Sequence, residues 1–193
     1  MSVFRTRRSV SAMHPLQRLF ALLCLGLLVV VTGVRAEEMS FSRYGLNSGD
    51  MVSITIFGED DMKVETRLSD AGTISYPFLG EIRVKGMTVG QLQNFLTKKL
   101  KGDYFVDPKV SASITEYRKF FVSGEVKDPG GFSFDPGLTL EKAVALAGGF
   151  TQRASRKDII VNREEKGKLT ERTMKLDESV LPGDIINVKE SFF

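Results

Sequence analysis

The chain has 193 residues, with 27 Lys and Arg against 24 Asp and Glu, one Cys, one His and no Trp. That length holds one ordinary domain or two small ones. The net charge of +3 is unevenly placed, and its distribution removes any argument from charge for nucleic-acid binding.

The first 36 residues differ in kind from the rest. "MSVFRTRRSVSAMHPLQR" carries Arg5, Arg7, Arg8 and Arg18 and no acid, "LFALLCLGLLVVVTGV" is a weakly polar-to-apolar run, and "VRA" puts small residues before a cut after Ala36. This order predicts a secretory signal peptide over 1–36. The run is short for a spanning helix, which needs about 20 apolar residues; an uncleaved inner-membrane anchor is the alternative. Cys24 is a poor lipid acceptor, because Leu23 precedes it where a small residue is required. Five of the 27 bases (Arg35 is the fifth) and none of the 24 acids lie in this leader, leaving 22 bases and 24 acids, net −2. The positive charge is therefore the leader's, and no nucleic-acid partner follows from it. Cys24 and His14 leave with it. Disulfides, Cys- or His-ligated zinc and His-based catalytic triads are then excluded.

"LNSGDMVSITIF" alternates Val52, Ile54 and Ile56 against Ser53, Thr55 and Phe57, the period of a half-buried strand. "GEDD" follows and is read as a solvated loop. Val64, Thr66 and Leu68 alternate before the turn "SDAGT"; Ile74 and Tyr76 lie beyond it, and Pro77 ends that strand. "MTVGQLQNFLTKKLK" predicts a helix: Thr88 and Gln91 form a capping box, Val89, Leu92, Phe95, Leu96 and Leu100 share one stripe, and Lys98, Lys99 and Lys101 suit the C-terminal dipole. "VDPKVSASITEY" adds a turn and a strand with Val110, Ala112 and Ile114 on one face.

A second unit opens with "RKFFVSGEVKDPGGFSF", read as a strand, a Pro-Gly-Gly turn and a return strand. In "GLTLEKAVALAGGF" Thr139 is the predicted N-cap, Glu141 suits the first turn, Leu140, Ala143, Val144 and Ala147 face inward, and Gly148-Gly149 stop the helix. A hairpin about 165–167 and the strand in "LPGDIINV" complete the unit. Both units run from a leucine through Gly-Asp into alternating apolar positions. "LGEIRVKGMTVGQL" and "SGEVKDPGGFSFDPGLTLEKA" also share a Gly-Glu strand, a turn and a Thr-capped helix. The fold class is α+β, two β-rich units of about 70 residues, each near the lower limit for an independent core.

At this point the text resembles a known family. "YGLNSGDMVSITIFGEDDM", "RLSDAGTISYPFLGEIRVKGMTVGQLQNFLTKKL" and "DPKVSASITEY" resemble the polysaccharide export domain of Wza-type proteins. "VSGEVKDPGGFSFDPGLTLEKAVALAGGFTQRASRKDIIVNR" with "LPGDIINV" resembles the soluble-ligand-binding β-grasp (SLBB) domain that follows it. The implied domains are 37–117 and 118–193. The resemblance implies a non-enzymatic ring homo-oligomer in the Gram-negative periplasm, associated with the outer membrane, through which capsule or exopolysaccharide leaves the cell. No cofactor is expected. Implied partners are copies of itself, an inner-membrane polysaccharide copolymerase and the polysaccharide cargo. The sequence departs from larger members in having one β-grasp unit, with only "KESFF" after Val188. Five residues span about 7.5 Å as helix against ~30 Å of hydrocarbon. A short form is therefore expected, one that relies on a separate outer-membrane β-barrel. A monomeric periplasmic glycan-binding adaptor of the same pathway is the alternative, and a carbohydrate-active enzyme using Glu59, Asp60 or Asp61 is a third reading. That chemistry needs a second carboxylate across the sugar, and nothing in the sequence supplies one.

Gly49, Asp50, Gly183 and Asp184 are read first as structural turns, with a ligand or cation site as the alternative. Tyr44, Tyr76, Tyr104 and Tyr117 are candidate polymer contacts, with strand-edge packing as the competing reading. Phe120, Phe121 and Phe132, and Arg153, Arg156, Lys157 and Asp158, are candidates for subunit contacts, against core phenylalanines and a solvated loop.

Overall fold

The structure is a computed structural model that describes residues 43–165 and 167–191. The predicted signal peptide, with Cys24 and His14, lies outside the described residues. Apolar side chains gather into two separate cores. The first runs from Leu46 to Ala112 and the second from Phe120 to Val188.

Around the first core, strands β1 (Met51–Ile56), β2 (Glu59–Arg67) and β5 (Val110–Glu116) form an antiparallel sheet in the order β2-β1-β5. The central strand buries Val52, Ile54 and Ile56, as its alternation predicts. Glu59, Asp60 and Asp61 do not form a loop: they open β2, exposed, opposite the end of β1. The "SDAGT" turn passes the chain to a separate hairpin, β3 (Thr73–Tyr76) with β4 (Gly80–Arg83), so its two flanking strands belong to different sheets. Helix α1 (Val89–Leu100) buries Leu92, Leu96 and Leu100. Its capping box is complete: Gln91 N–H donates to Thr88 Oγ1 at 3.2 Å, and Thr88 N–H to Gln91 Oε1 at 2.9 Å.

Around the second core, β6 (Phe120–Gly124), β7 (Gly130–Phe132), β8 (Ala154–Glu165), β9 (Lys168–Thr173) and β10 (Ile185–Glu190) form one sheet in the order β7-β6-β10-β8-β9. Only β6 and β10 run parallel. Helix α2 (Leu140–Leu146) buries Leu140, Ala143 and Val144, with Ala147 buried at its cap. Thr139 caps it by accepting from Lys142 N–H. Two sequence readings need correction here. Gly130 and Gly131 lie in β7 rather than in the turn, and a Cβ on Gly131 would come within 2.8 Å of the Phe121 ring. The shared Gly-Glu pairs are not equivalent either: Gly80 and Glu81 open β4, whereas Gly124 closes β6.

Tyr76 lies in the first core at 1% exposure, and its hydroxyl has no hydrogen-bond partner among the described residues. A buried, unsatisfied hydroxyl costs about 1–3 kcal/mol. Tyr76→Phe is therefore expected to melt at the same temperature or higher; a clear drop in Tm would show that the hydroxyl has a bonding partner.

Candidate functional site

Each Gly-Asp pair closes a turn whose aspartate is buried. Asp50 is 0% and Asp184 1% exposed. A carboxylate out of water needs donors at its lone pairs, and the two turns supply them differently. Asp50 Oδ2 accepts from Asn47 N–H and from the Tyr44 hydroxyl, both at 2.8 Å, while Oδ1 accepts from Arg118 N–H at 2.8 Å. Asp184 Oδ2 accepts from Leu181 N–H at 2.8 Å and from Arg163 Nη2 at 2.7 Å, while Oδ1 accepts from Arg163 Nε at 2.9 Å. The second carboxylate is thus held by a bidentate guanidinium, the first by neutral N–H and O–H groups.

The backbone closes identically: Asp50 N–H donates to Asn47 O and Asp184 N–H to Leu181 O, each at 3.1 Å. Asn47 and Leu181 therefore occupy equivalent places, so the leucines Leu46 and Leu181 that mark both turns in the sequence do not correspond. Gly49 and Gly183 have φ of 91° and 86°, a region that strains other residues. Each turn also leads directly into the central strand of its sheet, β1 or β10.

Arg118 joins the two turns. Its backbone N–H reaches Asp50, and its Nε donates to Pro182 O at 2.9 Å. A Cβ on Gly183 would lie 2.3 Å from that Nε, and one on Gly49 3.3 Å from Arg118 Cβ. Edge-to-face rings reinforce the junction, with Tyr44 on Tyr117 at 5.2 Å and Tyr117 on Phe134 at 5.4 Å. Burial, followed by the nearby Asp50 charge and the hydrogen bond to it, raises the Tyr44 pKa well above its ordinary value. Burial first, and then Asp50, raises that of Tyr117.

The four tyrosines do not share a face. Tyr76 is core and cannot contact a polymer from there. Tyr44 and Tyr117 belong to the junction. Tyr104 is 45% exposed and stacks on Phe78 at 4.9 Å. Among the proposed subunit contacts, Phe120 is also a correction: at 0% exposure it lies in the second core, because the alternation of β6 sends Phe120 and Val122 inward and Phe121 outward. Phe132 packs against Phe120. Arg153 pairs with Glu190, Arg156 lies over the Phe150 ring at 5.5 Å, and Asp158 accepts from Ser155 Oγ at 2.9 Å; Lys157 is exposed. Sequence reasoning missed Arg163 and Arg118. Arg163 falls on the inward parity of β8 after Ile159 and Val161, and a charge on a buried face was a readable signal. Arg118 meets Asp50 through its main chain, which left none.

The comparisons with known proteins follow the two cores. A family model for the polysaccharide biosynthesis/export protein matches residues 39–115, and one for the SLBB domain matches 119–175. The chain belongs to the Wza-type polysaccharide export family. It combines a polysaccharide export domain with a following SLBB domain in an α+β fold. The exopolysaccharide production protein ExoF of Rhizobium meliloti is 32% identical over 110 residues, 53% of this chain and 26% of that protein. The polysialic acid transport protein KpsD of Escherichia coli is 30% identical over 123 residues, 62% of this chain and 22% of that protein. The EPS I polysaccharide export outer membrane protein EpsA of Ralstonia solanacearum is 27% identical over 132 residues, 55% of this chain and 35% of that protein. The chain thus spans 22–35% of the length of these relatives. By name KpsD is a transport protein, EpsA an export protein and ExoF a production protein.

Removing one member of a buried ion pair strands the other, at a cost of about 3–5 kcal/mol. Asp184→Ala is expected to lose that much in chemical denaturation. The double change Arg163→Met with Asp184→Leu is expected to lose less than Asp184→Ala alone, and the pair matters less than argued if the double variant is the weaker one. The tyrosines set a limit at alkaline pH. Tyr44 ionises near 10.0 when unperturbed and higher in the fold, so its contribution is complete below pH 10 and declines as pH rises beyond it. Between pH 10 and 11 the stability of Tyr44→Phe is expected to fall less steeply than that of the parent.

Proposed function

We propose that this chain is a periplasmic component of a capsule or exopolysaccharide export machine at the outer membrane of a Gram-negative bacterium. Copies of it assemble into a ring-like conduit for the polymer. Its partners in this reading are an inner-membrane polysaccharide copolymerase, which delivers the chain of sugars, and a separate outer-membrane β-barrel. The observation that carries the proposal is the ordered pair of family matches, an export domain spanning the first core and then SLBB covering most of the second. The named roles of the relatives in exopolysaccharide production, polysialic acid transport and EPS I export support the same cargo class. Among the described residues no helix is long and apolar enough to cross a membrane.

A conduit works by enclosing its cargo, so contacts with the polymer must be weak and repeated; a single tight site would stop transit. Identical subunits in a ring meet through heterologous surfaces, with a different patch on each side of the protomer. Two measurements test the proposal. Deletion of the gene is expected to abolish surface polymer while polymer accumulates inside the envelope, and unchanged secretion would end the export reading. The purified protein is expected to run as a multimer by light scattering. A stable monomer at high concentration would replace the conduit with a glycan-binding adaptor.

A further inference from the structure

Beside the two Gly-Asp turns lies an open cleft of about 370 Å3, lined by Asn47, Ser48 and Gly183 of those turns and by surface side chains of both units. Three cations face it, Lys85, Arg118 and Lys119, with one carboxylate, Glu164, and one aromatic ring, Phe121. Lys85 is partly neutralised, its Nζ lying 3.5 Å from Glu164 Oε1. Arg118 commits its Nε to Pro182 O, which leaves the two terminal nitrogens of its fork for another acceptor. Among the described residues neither Arg118 nor Lys119 has a carboxylate within ion-pair distance. The cleft therefore holds two positive charges without a counter-ion, whereas among the described residues Arg67, Arg153, Arg163 and Arg172 each have one.

Phe121 is 49% exposed, and Gly131 backs its ring so closely that a Cβ there would collide with it. The ring is thus braced from beneath. Taken singly, an exposed phenylalanine or lysine is ordinary surface. In one concavity, a braced aromatic, an anion-binding fork and a hydrogen-bond acceptor make a site with three distinct demands. It requires a negative charge for Arg118 and Lys119, an apolar face for Phe121, and hydroxyl donors for Glu164. Inorganic phosphate meets only the first. A neutral sugar meets only the last two.

We propose that this cleft binds a carboxylate-bearing sugar, a uronate unit of the exported polymer. The sugar carboxylate sits between Arg118 and Lys119, a pyranose face lies on Phe121, and a ring hydroxyl donates to Glu164. The choice of polymer rests on the export reading above, but the binding chemistry does not. Affinity is low by construction, because exposed charges are screened by water and salt, and low affinity suits a cargo that must move on.

The test uses the full chain in mild detergent at low ionic strength. It is titrated by NMR or calorimetry with a glucuronic acid trimer, with the same trimer after reduction of its carboxyl groups, and with inorganic phosphate. The uronate trimer is expected to bind in the millimolar range, at least about fivefold more tightly than either control. Lys119→Gln and Phe121→Ala are each expected to weaken the uronate about threefold or more with Tm unchanged, and Phe121→Ala to leave phosphate binding alone. If Phe121→Ala unfolds the protein, Lys119→Gln decides. Equal binding of the reduced trimer, phosphate binding as tight as the uronate, or unchanged affinity in the variants would each overturn the proposal. The two readings fail separately: loss of secretion on gene deletion with no uronate binding leaves export standing and removes this site.

Discussion

A buried carboxylate is the constraint on which this fold turns, and it recurs. Asp50 and Asp184 each sit one residue before the central strand of a sheet, with essentially no solvent contact. An ionised group in that position is tolerated only when donors surround it, and the donors available are those a tight turn provides. The requirement works in both directions. The turn satisfies the aspartate, and the aspartate sets where the strand begins, which fixes the face that each following side chain takes. A shift of one residue would send Val52, Ile54 and Ile56 to water in one sheet, and Ile186 and Val188 in the other.

The two turns differ in where their last donor comes from, and that difference organises the molecule. Asp184 obtains a guanidinium from Arg163 of its own sheet. Asp50 takes a backbone N–H from Arg118, 68 residues away, at the point where the chain leaves the first core for the second. The side chain of the same residue then reaches back to the Pro182 carbonyl in the second turn. The first core does not complete its turn without the junction, and the side chain of the same residue ties that turn to the second, which helps two units near the lower size limit hold together. The cleft beside Phe121 is a by-product of this arrangement: Arg118 lies along the seam with part of its fork unused.

What was legible in the sequence is what depends on near neighbours. Thr88 and Gln91 are three residues apart, so the capping box could be read directly. The apolar stripe of α1 spans 12 residues and the alternation of β1 only 6, both within reach of a short window. Long-range pairing was less visible. Glu59, Asp60 and Asp61 look like a loop because they are charged, yet they begin a strand at a sheet edge, where acidic side chains face water at no cost. Phe120 and Phe121 are adjacent and chemically identical; only the register of β6 against β7 and β10 separates core from surface. Arg118 was unreadable for a different reason, since its contact with Asp50 uses an atom that every residue except proline has. For Tyr76 the packing reading holds, because the hairpin of β3 and β4 carries it inside.

The position of β10 has a consequence for the order of events during synthesis. This strand is made after β6, β7, α2, β8 and β9, yet it lies between β6 and β8 and touches both. Until residues 185–190 are available, the pair β6–β7 and the pair β8–β9 have no partner in common, and each exposes a bare edge along its length. Nascent chains in this interval are vulnerable to edge-to-edge association. The last strand acts as a keystone: its arrival joins two loose ribbons into one sheet in a single step, and any holding factor that meets the polypeptide must stay until it does.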